Sequence, residues 1–274
     1  MLRRRTTLCA LVLAGPILCA QTAPSKPAAL PQDPEQFLAF ARSHNDIDIE
    51  GVTPWELKAT FQLFDPKGLP VQTLTLDELW AGPQQQRLTW TSAAYHRTTI
   101  TNHDGTFRTG SSQPVPAFVE SALQAIVHPV PDASVTSAST LRMQVHQFGK
   151  QLFNCIISIP STPPPTMTAG RVILIARPTE YCFDLDTLNY RITLGIDADS
   201  RSDSAFPFQE RNIAKQDAVV VGKFVRAKGT VDDLSLVPQP DPQAFVAQPA
   251  LSSWTQPRTS ISLHSHAPHF RCAA

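Results

Sequence analysis

Glycine is scarce in this chain, 11 residues in 274, and the short glycine-rich devices of nucleotide chemistry are missing. There is no phosphate-cradling loop and no Gly-x-Gly-x-x-Gly turn of the kind that opens a dinucleotide-binding helix. There is no His-Glu-x-x-His helix to hold a catalytic zinc, and no Gly-x-Ser-x-Gly elbow to present a nucleophile. No sequence motif therefore supports an enzyme, and no cofactor is implied. Charge of one sign is missing too: 23 basic residues face 23 acidic ones. A balanced surface argues against nucleic acid as a partner, because phosphate binding needs clustered Lys and Arg. No segment repeats at a fixed period.

Proline, by contrast, is abundant at 25 residues, which points to many strand ends, turns and extended stretches. At the N-terminus, Arg3, Arg4 and Arg5 precede the apolar run 8–20, and a polar stretch starts at Gln21. This is the pattern of a secretory signal peptide over residues 1–20. The run is short for a membrane span and Gly15-Pro16 interrupts it; an uncleaved anchor is the alternative. Without the three arginines the mature chain carries 20 basic and 23 acidic residues and is mildly acidic. Cys9 and Cys19 would leave with the signal, so Cys155, Cys182 and Cys272 remain. Export implies an oxidising compartment. Cys155 and Cys182 both lie in extended-looking segments, so a cross-strand disulfide is the expected pairing, with two buried free thiols as the alternative.

Residues 21–34 read as a flexible linker and 34–43, with Phe37, Leu38 and Phe40, as a short helix. From 54 to 110 the chain reads as one β-meander. Trp55, Leu57, Ala59, Phe61 and Leu63 alternate with polar residues, so a pleated strand gains one apolar face. Turns are expected at Asp65-Pro66-Lys67-Gly68, Trp80-Ala81-Gly82-Pro83 and Asn102-His103-Asp104-Gly105. Residues 115–130 carry Phe118, Val119, Leu123, Ile126 and Val127 at helical spacing between prolines, the clearest amphipathic helix. Strands are expected at 141–148, 151–159, 171–176, 179–183 and 188–196, with a loop over 161–170. A closing hairpin over 218–237 is expected to turn at Lys228-Gly229, and the chain from 239 to 274 to be disordered.

The polar constellations are weak. His264, His266 and His269 have metal-ligand spacing, but only Cys272 stands near them, and a solvated tail is the simpler reading. Asp197, Asp199 and Asp203 lack the glycine and terminal glutamate of a calcium loop, so a charged hairpin tip is expected. Asp77 and Glu78 are strand neighbours that face opposite sides and cannot form a carboxylate pair. Asp184 and Asp186 read as a strand exit, and His96 as a surface or packed histidine.

The order of these elements, with Trp80-Ala81-Gly82-Pro83, Gln86-Arg87-Leu88-Thr89-Trp90 and His103-Asp104-Gly105, resembles the outer-membrane lipoprotein carrier family (LolA-like). Tyr181-Cys182-Phe183-Asp184 and Asn154-Cys155 look more like a bacterial envelope subgroup, some of whose members are linked to TonB-type transducers. The resemblance covers residues 37–238 and implies a mainly β (α+β) domain over 35–238. Its expected form is a curved antiparallel half-barrel with two or three covering helices. It also implies periplasmic export and a lipid or lipoprotein partner, or an envelope-protein partner. Arg87 matches by position the arginine that the carrier uses. Trp55, Phe61, Trp80, Trp90, Phe118, Leu123 and Ile126 are expected near the interior, either lining a ligand cavity or forming an ordinary filled core. The function expected is a non-enzymatic envelope protein that binds a lipid or an apolar partner. The alternative is a structural or interaction module of a periplasmic assembly without a small ligand.

Overall fold

Asp33 starts the first helix, α1 (Pro34–Asn45). Its carboxylate accepts the Gln36 N–H at 2.9 Å, and Pro34 fills a first-turn position where a missing N–H costs nothing. Phe37, Leu38, Ala41 and Asn45 recur along one face and are buried. The computed structural model describes residues 30–132, 136–161, 165–168, 171–174 and 178–247.

The meander follows as β1 (Trp55–Phe64), β2 (Pro70–Gly82), β3 (Gln85–Ser92), β4 (Tyr95–Asn102) and β5 (Gly105–Gly110). Helix α2 (Ala117–Val127) comes next, then β6 (Ser139–Phe148), β7 (Gln151–Pro160), β8 (Pro165–Thr168) and β9 (Arg171–Leu174). The chain continues through β10 (Thr179–Asp184), β11 (Tyr190–Leu194), β12 (Asp199–Phe208), β13 (Arg211–Val221) and β14 (Phe224–Leu236). Twelve strands form one curved, unclosed antiparallel sheet in the order β5-β4-β3-β2-β1-β14-β13-β12-β11-β10-β7-β6. This is a half-barrel of the α+β kind. β5 and β6 are its two edges, and the pairing of β1 with β14 joins its halves.

Helix α2 lies across β1, β12, β13 and β14 and defines the inner face. Trp55, Leu57, Ala59, Phe61 and Leu63 point to it and are all buried, as alternation requires. They pack with Leu123 and Ile126 of α2 in the main core. A second cluster joins α1 to Ile156, Phe183, Leu188 and Tyr190. Phe153, Cys155 and Cys182 form a third.

Several expectations are corrected. The closing hairpin turns at Gly222-Lys223, between β13 and β14, not at Lys228-Gly229. Gly222 has φ +61, which only glycine adopts freely, whereas Gly229 sits inside β14. A Cβ there would lie 2.8 Å from Phe61 and 3.1 Å from Ile126 Cδ1, so Gly229 serves a close approach of side chains instead of a turn. Residues 165–168 are a strand paired with β9 in a two-stranded sheet, where a loop was expected. Asp199 and Asp203 lie along β12, so the presumed charged tip is only the short connection before it. The chain also stays ordered past Pro238. A 3₁₀ turn, Pro242–Phe245, buries Phe245, whose carbonyl accepts from Asn102 Nδ2 at 3.0 Å. The expected signal peptide and the 264–272 His/Cys segment lie outside the described residues.

Candidate functional site

The segment between α1 and β1 clamps the C-terminal end of α2. The Ile47 N–H donates to the Val127 carbonyl at 2.9 Å, and the Val130 N–H donates to Asp46 Oδ1 at 3.2 Å. His128, at the helix C-cap, places Nδ1 2.8 Å from Asp48 and 3.3 Å from Asp46 Oδ2, and Nε2 3.3 Å from Asp132. With carboxylates on both nitrogens the ring is held as imidazolium, which the helix C-terminus also favours. The hydrogen bond with Asp48 is the main reason its pKa rises to about 9. Arg42 completes the clamp: its Nε lies 3.5 Å from Asp46, and its guanidinium donates to the Pro131 carbonyl. Burial pushes the Asp46 carboxyl up to about 7 despite these cations. The other end of α2 is held differently. Pro116 is its N-cap residue and makes no side-chain capping bond.

Beside the clamped half of α2, between it and β10–β13, lies a half-open cleft of about 220 Å³, with the Asp132 and Asp199 carboxylates at its rim. Gln124, Ala125 and His128 form its helical wall, and Tyr181, Tyr190, Ser200 and Val219 lie on the sheet side. Ser200 Oγ donates to the buried Asp217 carboxylate, 2.8 Å from each oxygen. Burial lifts Asp217 to about 7. The Tyr190 hydroxyl donates to Thr193 Oγ1 at 2.9 Å, and burial raises its pKa. The cavity thus offers hydroxyls and ring faces. Ser200 is engaged with a carboxylate and not with an imidazole, so this is not the nucleophile–base pairing of a hydrolase.

The seven interior residues expected from sequence are brought together. Trp55 stacks on Trp80 at 5.7 Å between ring centroids, and Phe61 tilts against Trp90 at 5.2 Å. Leu123 and Ile126 cover them from α2, while Phe118 packs at the cluster edge under the Arg226 guanidinium, 4.8 Å away. None of the seven lines the cleft, which lies against the opposite flank of α2, formed by Ser121, Gln124, Ala125 and His128. Arg87 is elsewhere: it pairs in register with Leu79, alternates with inward Leu88 and Trp90, and meets Asp77 at 3.4 Å on the outer face.

Glu78 faces away from Asp77, as strand alternation requires, and its burial is the part that was not read from the sequence. It pairs in register with Leu57 and Leu88 and is buried on the inner face, among the tryptophans. Gln86 Nε2 donates to its Oε1 at 2.6 Å, whereas Oε2 has no hydrogen-bond partner among the described residues. Burial raises its pKa to about 8, so it is largely a neutral acid at pH 7. Asp46, His128 and Asp217 were missed as well. The only hint in the sequence was a lone histidine where the helical spacing ends.

Cys155 and Cys182 are directly opposed on β7 and β10 and form the expected disulfide. His146 pairs with Glu180 beside it at 2.9 Å. Ligand atoms of His146, Cys155 and Glu180 lie within 4.8 Å of one another, but Cys155 Sγ is committed to the disulfide, which leaves only the contact between His146 and Glu180. Among the described residues no helix is long and apolar enough to cross a membrane.

No family model matches the chain, and no curated protein matches it in sequence. It is similar in fold to a LolA superfamily protein from Nitrosomonas europaea, with a TM-score of 0.49 and 10% identity over 77% of this chain and 97% of that one. It is also similar to a domain from Vibrio parahaemolyticus assigned to outer-membrane lipoprotein sorting, at TM-score 0.46 and 9% identity over 76% and 94%. A DUF1329 family protein from Desulfovibrio piger gives TM-score 0.45 and 9% identity over 76% and 94%. The TonB association has no counterpart among these structures.

Proposed function

We propose that this is an exported, non-enzymatic binding protein that takes an acyl chain or another apolar group between α2 and the inner face of the half-barrel. The observation that carries the reading is the asymmetric fastening of α2. Its C-terminal end is clamped by Asp46, Ile47 and Asp48, its N-terminal end has no side-chain cap, and a half-open cleft of about 220 Å³ already lies beside it, between α2 and β10–β13. An engineered cavity of about 150 Å³ is enough for benzene, so this space suits part of a chain and a full lipid needs the helix to lift. Lifting the free end uncovers Trp55, Phe61, Trp80 and Trp90, with Leu123 and Ile126 as the moving wall. Each methylene taken from water contributes about 0.8 kcal/mol. The disulfide between Cys155 and Cys182 supports an oxidising compartment and hence export.

Native mass spectrometry of gently purified mature protein tests the reading. An acyl mass that co-purifies and is released on activation supports it. Spectra that remain empty in every preparation contradict it.

A further inference from the structure

Two hairpin tips stand side by side at one end of the sheet. One is the β1–β2 turn, Asp65-Pro66-Lys67-Gly68; the other is the β13–β14 turn, Gly222-Lys223. Leu63 pairs with Ala227 across β1 and β14, and Arg226 Nε donates to the Phe64 carbonyl at 3.3 Å. A Cβ on Gly68 would touch Phe224 Cδ1 at 3.6 Å, so the tips adjoin.

These tips are built, and they carry the wrong side chains for water. Leu69 is 60% exposed, Val71 63% and Phe224 37%. Single exposed apolar residues are ordinary, but three on adjoining turns form a patch that asks for a partner. The Asp65 carboxylate accepts the N–H groups of Lys67 and Leu69, both at 2.8 Å, which fixes the first tip and occupies the single acidic side chain of the two turns. Lys67 and Lys223 are exposed beside the apolar residues, and Lys223 Nζ lies 5.3 Å from the centre of the Phe224 ring. The neighbouring connection before β12 exposes Ile196 next to Asp197, and there the cationic character ends.

Aliphatic and aromatic side chains on projecting turns, flanked by lysines, match one environment closely: the boundary between headgroups and acyl chains of an anionic bilayer. We propose that the paired tips dock on such a surface, with Leu69, Val71 and Phe224 entering the boundary and Lys67 and Lys223 facing anionic headgroups. Phe118, in the first turn of α2, contacts Arg226 at this same end, so docking turns the uncapped end of the helix toward the lipid. This surface lies outside the interior binding region, and each proposal stands or fails without the other.

Vesicle flotation of the mature full chain tests it, with phosphatidylcholine vesicles prepared with and without phosphatidylglycerol. The protein is expected to float with the anionic vesicles and to be released by salt. Lys67→Glu with Lys223→Glu should lower partitioning at least about tenfold. Leu69→Ser with Val71→Ser should abolish it at unchanged Tm, because both side chains are exposed in the free protein. Three results overturn the proposal: no flotation of the wild type, variants that float like the wild type, or a dimer in light scattering that the same substitutions dissolve. Flotation bears on the tips alone, and native mass spectrometry of the soluble protein on the interior alone.

Discussion

His128 Nδ1 lies 3.3 Å from the buried Oδ2 of Asp46, so the helix that covers the inner face is fastened to the end of α1 by an ionic contact. His128 titrates near 6.5 when unfolded and at about 9 here. The folded protein therefore holds this proton more tightly. The stability it brings is complete below 6.5 and is lost as pH rises through about 9. His128→Gln should lower Tm by several degrees at pH 6.5, on the order of 2 kcal/mol, and have little effect near pH 9. Melting curves of both proteins across this range check it; an equal gap at every pH contradicts the clamp.

Glu78 works in the same direction, over a lower pH window. Its carboxyl titrates near 4.5 unfolded and at about 8 in the core, so stability again falls as pH rises, here between those values. Gln keeps the shape and the acceptor that Gln86 uses and cannot ionise. Glu78→Gln should raise Tm above wild type at pH 8.5 and lose that advantage at pH 4.5. A constant difference would mean that Glu78 does not titrate across this window.

The β12–β13 turn is strained. Gln209 and Glu210 have φ of +48 and +63, a conformation that non-glycine residues adopt at a cost. The Gln209 side chain compensates by exchanging two hydrogen bonds with the Thr53 backbone, each 2.9 Å. Gln209→Ala should cost about 1–2 kcal/mol in denaturant unfolding, and Glu210→Gly should gain about 0.5–1 kcal/mol. Loss of stability on Glu210→Gly would contradict the backbone assignment.

The disulfide closes a separation of 27 residues, worth about 3 kcal/mol from loop entropy. Under denaturing, non-reducing conditions protein lacking residues 1–20 should present one thiol, Cys272, to a labelling reagent. Reduction should lower Tm by several degrees. Three reactive thiols before reduction would exclude the bond.

What the sequence revealed followed from period and punctuation. Trp55 to Leu63 alternate strictly, and 115–130 repeats at helical spacing between prolines; both gave the right element on the right face. The 208–211 turn stayed hidden because neither Gln209 nor Glu210 is a turn residue, and its strain is relieved by Thr53, distant in sequence. Gly229 misled for the reverse reason: it looks like a turn and is a gap into which Phe61 and Ile126 pack. The polar part of the site was illegible because burial makes it. Asp46, Glu78 and Asp217 are ordinary acids in the sequence, and their raised pKa values come from a core assembled across β1, β2, β13 and two helices.

The central claim is that an acyl chain enters between α2 and the tryptophans of the inner face. A soluble acyl compound brominated on its chain, titrated below its micelle concentration, tests this directly. In a Trp254→Phe background, Trp55, Trp80 and Trp90 are the remaining tryptophans, and contact with bromine quenches their emission. The account predicts saturable quenching that an unbrominated chain competes away. Emission that stays unchanged up to the solubility limit would contradict it.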